Sequence, residues 1–447
     1  MRNGMTPAFN QHPVLLSFPM AAASFVATGL AMGLSTWGYL QQASLAICAA
    51  AQVPLSIAYL THRKLCRRHP DVWSVTLAFP CVSTAVWVLA SLTLPIGSTA
   101  SPCYSATEWP MLIQCSAYLG RSAVTFLLSW LASAGSHHLS GGRGLKAVLP
   151  ILVLIWIAGG LRFYATTFQL EMSDTFPDTA QYRVSCINVP DMEAETKKRL
   201  AAGDTIILHT ERATGDGDVV PINDGLVASY QAMLTDSFQK TQQEAVVVLS
   251  FTQDQRSWYH LVSRNGSQMS YAKNHPVPLV ETDILPGDRP PSVAEVSLGG
   301  LPLKVTGSIC FDTDFPWLTR QLGSASLLLE SSATWSNIGR EHLHGHKYAA
   351  LENGQTLIKC TEDGYTGAID PFGSVIYEAP QSSGVVSFNV PRYPAQEGTP
   401  SSVPGLRRSN WRGGLRLAAA CRVSLPELPM AGPLLISWLR QKRFGLF

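Results

Sequence analysis

The chain has 447 residues, with 33 Lys and Arg against 31 Asp and Glu, a formal net charge of +2, 14% charged residues and a mean hydropathy of +0.11. That length has room for roughly two or three domains. A balance this close to neutral, with no basic stripe interleaved with aromatics, excludes nucleic acid as a partner.

The average hides two unlike halves. Up to residue 168 the acidic residues are Asp71 and Glu108, and long stretches lack any charge. Segments 17–40, 43–60, 72–95, 111–135 and 148–168 each approach the roughly 20 apolar residues that a helix needs to cross a bilayer core. The first is long, follows a weakly basic tail and precedes further spans, which favours a retained helix over a cleaved signal. Arg63, Lys64, Arg67 and Arg68 form one basic loop, and Arg143 with Lys146 another. The excess of positive charge places both loops and the amino terminus in the cytoplasm, so five crossings predict a second half on the outer or lumenal side of a multi-pass membrane protein. Arg121, inside the fourth span, and Arg162, near the end of the fifth, are charges at costly depth and hence candidates to face lipid or phosphate.

Nine cysteines stand singly, at 48, 66, 81, 103, 115, 186, 310, 360 and 421. No CxxC pair suggests zinc or a dithiol site, and Cys48, Cys81 and Cys115 read as small packing residues. Neither a cofactor nor a metal is expected. His342, His344 and His346 read as a polar helix face, because no carboxylate or Cys motif accompanies them. His209 and His275 read as structural hydrogen-bonding groups.

From Glu171 the pattern is that of an α/β protein, after a polar connector over 169–181. Strand signals lie at 182–189, 205–208, 244–251, 258–263 and 268–273, with helical ones at 191–202 and 224–241. Asn265-Gly266 marks a hairpin. An apolar strand then leads to Cys310, followed by a helix-like 312–322, a strand at 326–330, a helix from about 341 to 353, and strands at 356–360, 367–370 and 374–378. Pro371-Phe372-Gly373 turns between the last two. Two strand-rich layers with helices outside predict an α-β-β-α sandwich over 180–395, after a transmembrane helical domain over 1–168. The tail, 396–447, contains an apolar stretch that fits either a sixth crossing or an interfacial helix.

Chemistry gathers at three separated positions. Cys310 ends its strand at a tight turn, Glu211 follows the strand Ile206 to His209, and Lys273 lies in Tyr-Ala-Lys-Asn-His-Pro-Val-Pro-Leu-Val-Glu, residues 271–281. A thiol attacks as thiolate and needs a base, which Glu211 supplies. Lys273 carries a compact charge suited to an oxyanion, together with a backbone N–H near Phe311. Glu281 is placed to hold that lysine.

This set resembles the Glu-Lys-Cys triad of the nitrilase, or carbon–nitrogen hydrolase, superfamily. Lys273 to Glu281 is similar to the Lys-x-His-x-Val-Pro-x-x-Glu pattern of the apolipoprotein N-acyltransferases, in which a nitrilase-like domain follows membrane helices. Ser331-Ser332-Ala333-Thr334-Trp335 is similar to their Asn-Asp-x-Trp neighbourhood, and 342–353 to the helix after it. Three features depart from the family: the first helix is short, Thr210 stands where Pro commonly precedes the glutamate, and Phe311-Asp312 stands where Tyr-Glu is usual.

The resemblance implies an acyltransferase with Glu211, Lys273 and Cys310 as catalytic residues and Glu281, Phe311, Asp312 and Trp335 in support. Cys310 would take an acyl chain from a phospholipid as a thioester and pass it to an amine such as the N-terminus of a lipidated protein. Two other readings use the same residues: a membrane-tethered amidase or nitrilase with water as acceptor, and a non-catalytic membrane scaffold whose nitrilase domain has decayed.

Overall fold

The computed structural model describes Leu60 and residues 72–99, 101–139, 143–171, 181–211, 224–278, 280–336 and 338–393. The expected spans at 17–40 and 43–60 fall outside these residues, apart from Leu60, and so does the tail at 396–447.

Among the described residues the first part holds α1 (Val72–Thr93), α2 (Pro110–Ile113), α3 (Ser116–Leu119), α4 (Arg121–Leu139) and α5 (Gly144–Glu171). Two stretches, Thr76–Thr93 and Gly144–Tyr164, are long and apolar enough to cross a membrane. The expected fourth span, 111–135, is not one helix. Gly120 takes φ +77°, a left-handed conformation that costs a residue without Cβ little, and it separates the short α2 and α3 from α4. Arg121 therefore begins a helix instead of lying inside one.

The second part contains β1 (Gln181–Asn188), α6 (Met192–Ala201), β2 (Ile206–His209), α7 (Asp224–Thr241), β3 (Val246–Gln253), β4 (Arg256–Ser263) and β5 (Gly266–Ala272). It continues with β6 (Val293–Leu298), β7 (Leu301–Ile309), α8 (Pro316–Thr319), β8 (Leu327–Ser332), α9 (Gly339–Gly345), α10 (Lys347–Asn353), β9 (Thr356–Thr361), β10 (Gly364–Ile369), β11 (Val375–Gln381) and β12 (Gly384–Pro391). One sheet has the order β12-β1-β2-β3-β4-β5 and the other β11-β10-β9-β8-β7-β6. β1, β2 and β3 are parallel, as are β7, β8 and β9.

Alternation along the strands builds the layers. In β3, Val246 and Val248 face the second sheet, while Val247 and Leu249 face α6 and α7 with Leu200 and Leu234. Burial of both faces explains the unbroken apolar run. The outer face of the second sheet packs Leu328 and Leu357 against Leu343, Ala349 and Ala350 of α9 and α10. The result is the expected α-β-β-α order. Strands β6 and β12 were not expected; β6 carries Glu295 and Ser297 between its apolar residues, and β12 lies beyond the last turn signal used.

Two expected helices are shorter than anticipated. The run 312–322 divides into a 3₁₀ turn (Cys310–Asp314), α8 and a second 3₁₀ turn (Arg320–Leu322), because Pro316 can start a helix but cannot continue one. The run 341–353 is two seven-residue helices, α9 and α10, meeting at His346.

Cys186 of β1 and Cys360 of β9 form a disulfide across the two sheets, 174 residues apart in sequence. Single spacing gave no sign of this pair, since the sheets bring distant strands face to face. The bond restricts the unfolded chain, an effect worth about 2–5 kcal/mol in favourable cases. Alkylation of the unfolded protein without reductant should leave Cys186 and Cys360 unmodified, and reductant should lower Tm. Mass mapping that finds both thiols alkylated without reductant would contradict the bond.

Gly307 of β7 meets the ring of Tyr259 on the facing sheet. A Cβ there would lie 2.3 Å from the ring carbon Cζ, and the Tyr259 hydroxyl is itself tied to the Leu329 carbonyl at 3.1 Å. Gly307→Ala should therefore destabilise by about 1–3 kcal/mol through overpacking, read as a lower urea midpoint. An unchanged midpoint would mean that the sheets stand further apart.

Candidate active site

The sheets meet at the C-terminal ends of their parallel strands. The Ser331 hydroxyl of β8 donates to the His209 carbonyl of β2 at 2.8 Å, and the Glu211 N–H donates to the Ser332 carbonyl at 3.2 Å. These bonds hold the ends of β2 and β8 together, although 122 positions separate Ser331 from His209 in the sequence.

Glu211 is fully buried and its carboxylate is used on both sides. Oε1 accepts from Lys273 Nζ at 2.8 Å, and Oε2 accepts from the Ala333 N–H at 3.1 Å. Lys273, just past β5, is also fully buried. Its ammonium donates to Glu281 as well, with Oε2 at 2.8 Å and Oε1 at 3.0 Å. Glu281 is fixed in turn by the Val277 N–H at 2.6 Å. Burial alone would favour a neutral amine, but the Glu211 and Glu281 carboxylates outweigh it and hold Lys273 above the ordinary lysine range. Lys273 is thus a permanent cation between two anions.

Cys310 completes the group from the other sheet. Its Sγ donates to the Ala333 carbonyl at 3.5 Å, so the peptide flanking one residue binds both the thiol and the Glu211 carboxylate. The backbone of Cys310 has φ +43°, in the left-handed region that non-glycine residues rarely occupy. Conformations of that kind cost about 1–3 kcal/mol and gather at functional sites. Desolvation pushes the thiol up to about 12, against the opposing pull of Lys273. The sulfur is therefore protonated at rest, and only 4% of the residue is exposed.

Two of the supporting residues, Phe311 and Asp312, lie on the same turn. Asp312 is buried and accepts from the N–H groups of Asn274 and His275 at 2.9 and 2.8 Å, with His275 Nδ1 at 2.8 Å from the same carboxylate. It pins the segment after Lys273 to the turn carrying Cys310. The shorter acid in place of the usual glutamate thus keeps a bonded position. His275 stacks on Phe315 with centroids 3.6 Å apart, and Phe311 packs edge-on against Phe315. Trp335 is half-buried just past β8.

The two arginines expected to face lipid or phosphate both have partners within the protein. Arg121 is buried and pairs with Glu352 of α10, Nε to Oε1 at 3.2 Å; the backbone N–H of Arg121 also donates to Oε1 at 2.5 Å, so Glu352 caps α4. The residue reads as intramembrane because the break at Gly120 is invisible in hydropathy. Arg162 donates to Gln114 and lies over the rings of Tyr118 and Phe372 at 5.6 and 5.8 Å, which ties α5 to the sandwich. A separate cleft of about 470 Å³ opens beside Glu108, Phe163, Arg340, His344 and Lys347, and the residues around Cys310 do not line it.

Sequence reading missed Ala333 as the joint, since an alanine carries no chemical signal, and it missed a polar cluster behind the turn. His342 and His346 face inward to Asp314 and Glu330 instead of forming one polar face with His344, which sits between Glu108 and Glu378.

A raised thiol gives a testable pH profile. Iodoacetamide labelling of Cys310 should accelerate continuously between about pH 7 and 10, because the thiolate fraction rises throughout that window. A plateau below about pH 8 would instead mean a preformed thiolate.

No family model matches the chain. It is similar to the apolipoprotein N-acyltransferase of Shewanella oneidensis, 23% identical over an alignment of 372 positions that covers 72% of this chain and 69% of that protein. The protein of the same name from Pseudomonas aeruginosa is 37% identical over 78 residues, 16% of this chain and 15% of its own length. That of Pseudomonas putida is 35% identical over 129 residues, 28% of this chain and 24% of its own. Among solved structures, an amidase from Nesterenkonia sp. aligns with a TM-score of 0.39 and 18% identity, covering 54% of this chain and 99% of that one. In its sequence the chain is similar to the apolipoprotein N-acyltransferases.

Proposed function

We propose that this chain is a membrane-embedded N-acyltransferase that moves an acyl chain from a phospholipid through a Cys310 thioester to an amine. The observation that carries the reading is the buried Glu211–Lys273–Glu281 set, joined through Ala333 to a protonated thiol on a strained turn. The names of the relatives supply the acceptor class, a lipoprotein amine.

The chemistry follows from those positions. Sγ attacks the ester carbonyl as Glu211 takes the thiol proton, and the oxyanion develops toward the Lys273 ammonium and the backbone N–H near Phe311. Collapse breaks the C–O bond, and the proton on Glu211 passes to the leaving alkoxide, which departs as lysophospholipid. The amine nitrogen then attacks the thioester, Glu211 accepts its proton, and cleavage of the C–S bond returns that proton to sulfur. Glu281 keeps the ammonium aimed.

The membrane assignment rests on the helices beside the site. Leu149, Leu154, Trp156, Leu161 and Tyr164 of α5, with Leu89 of α1, are exposed large apolar side chains, a surface that suits lipid. A site fixed at the bilayer boundary meets both lipid-anchored substrates without drawing an acyl chain through water. The disulfide favours an oxidising, non-cytoplasmic compartment for the sandwich, in accord with the charge asymmetry of the loops.

The test uses the full chain in phospholipid carrying a labelled acyl group, with a peptide whose N-terminal cysteine is already diacylated. Wild-type protein should release lysophospholipid and label the peptide amine. Cys310→Ala should abolish both products, Cys310→Ser should reduce them strongly, and Lys273→Ala should lower the rate by roughly 10²–10³-fold. Undiminished transfer by Cys310→Ala would refute the assignment, and amide hydrolysis without any labelled peptide would favour the hydrolase.

A further inference from the structure

The polar cluster behind the nucleophile turn has a donor set that neither the acyl-transfer chemistry nor the relatives' names use. Asp314 ends the 3₁₀ turn that begins at Cys310, and His342 and His346 project from α9 and its end at the four-residue spacing that puts two imidazoles on one face. One ligand atom from each of the three lies within 4.8 Å of the others. Nε2 of His342 is 3.3 Å from Asp314 Oδ2, and Nε2 of His346 is 4.0 Å from Asp314 Oδ1. The second distance is too long for a hydrogen bond. The first suits two atoms bound to one tetrahedral ion at about 2.0–2.2 Å from it, and the second would close by about 0.5 Å on binding.

The second shell points the same way. His346 is 1% exposed, and neither of its ring nitrogens makes a hydrogen bond of good geometry. Nδ1 lies 2.8 Å from Glu330 Oε2, and Nε2 is the nitrogen on the Asp314 side. A carboxylate behind an imidazole whose far nitrogen faces into the cluster is the arrangement that orients metal-binding histidines. Glu330 is fixed by Lys359 Nζ at 2.7 Å and by the Thr313 hydroxyl at 3.2 Å, while the Tyr104 hydroxyl donates to Asp314 at 3.0 Å.

Asp314 and Glu330 are two buried carboxylates, and the ammonium within this cluster is Lys359, which also lies 2.9 Å from His342 Nδ1. Arg121 reaches Tyr104 but is committed to Glu352.

We propose that Asp314, His342 and His346 bind one divalent transition-metal ion of the zinc class, with Glu330 orienting His346. Two imidazoles and one carboxylate match the ligand preference of zinc, and they leave a fourth position for water or another oxygen. Bound there, the ion ties the turn that carries Cys310 to α9, so its role is to position that turn. It touches neither the thiol nor an acyl group.

Elemental analysis of the full chain, purified untagged in detergent without chelator, tests this independently of any acyl transfer. About one zinc per chain is expected, and cobalt added to chelator-stripped protein should develop the visible absorption of a nitrogen- and oxygen-ligated site. His346→Gln and Asp314→Asn, each checked by circular dichroism for a native fold, should lose most of that metal and the cobalt spectrum. Folded wild-type protein that holds no zinc and gives no cobalt spectrum would overturn the site. So would the same metal content in the folded variants, because the ion would then lie elsewhere.

Discussion

A lysine ammonium with no access to water stands between two carboxylates, and the arrangement of the sandwich ends follows from keeping it there. An unpaired charge at that depth is very costly, so Lys273 needs Glu211 and Glu281 within hydrogen-bond reach. Removing either acid would leave the ammonium with a single carboxylate partner. Each anion is in turn held by a backbone N–H, Ala333 for Glu211 and Val277 for Glu281, and neither carboxylate can turn away without breaking a second bond. A thiol placed beside this set stays protonated through burial, yet has a base and a cation next to it.

Position in the fold makes that economy of parts possible. Glu211 and Lys273 follow strands of one sheet, and Cys310 and Ala333 follow strands of the other, all at the ends where the sheets meet. The inter-sheet core, from Val184 and Ile206 to Val305 and Leu329, fixes the spacing between these ends. Behind them, Arg121 and Glu352 join α4 to α10, and the Tyr348 hydroxyl reaches the Cys103 carbonyl at 2.5 Å. The apolar helices and the sandwich therefore share a seam, with Ile113, Val124 and Leu127 packed against Tyr348 and Leu351. Through that seam the helices are positioned close to the turn that presents the sulfur.

Much of the sandwich was legible in the sequence because its strands are buried on both faces and read as apolar runs bounded by turns. The helix at Asp224–Thr241 appears at the residues its periodicity indicates. What misled were features with no hydropathic signature. Gly120 breaks an apolar run that otherwise resembles one span, and Pro316 divides a helix-like stretch after the nucleophile. Glu211, Lys273 and Cys310 could be named from their local frames, but the residue that joins them is an alanine whose backbone does the work. Pairing of Cys186 with Cys360, and the inward turn of His342 and His346, depend on which strands and helices face one another, and spacing along the chain does not encode that.

The central claim is that the sulfur of Cys310 can be acylated by a phospholipid ester in the setting of these three charged side chains. Peptide mass spectrometry of the full chain after incubation with phospholipid, with no amine acceptor present, tests it most directly. The Cys310 peptide should carry one acyl mass that hydroxylamine removes. An unmodified Cys310 peptide in folded protein, or an acyl group on a different residue, would contradict the account.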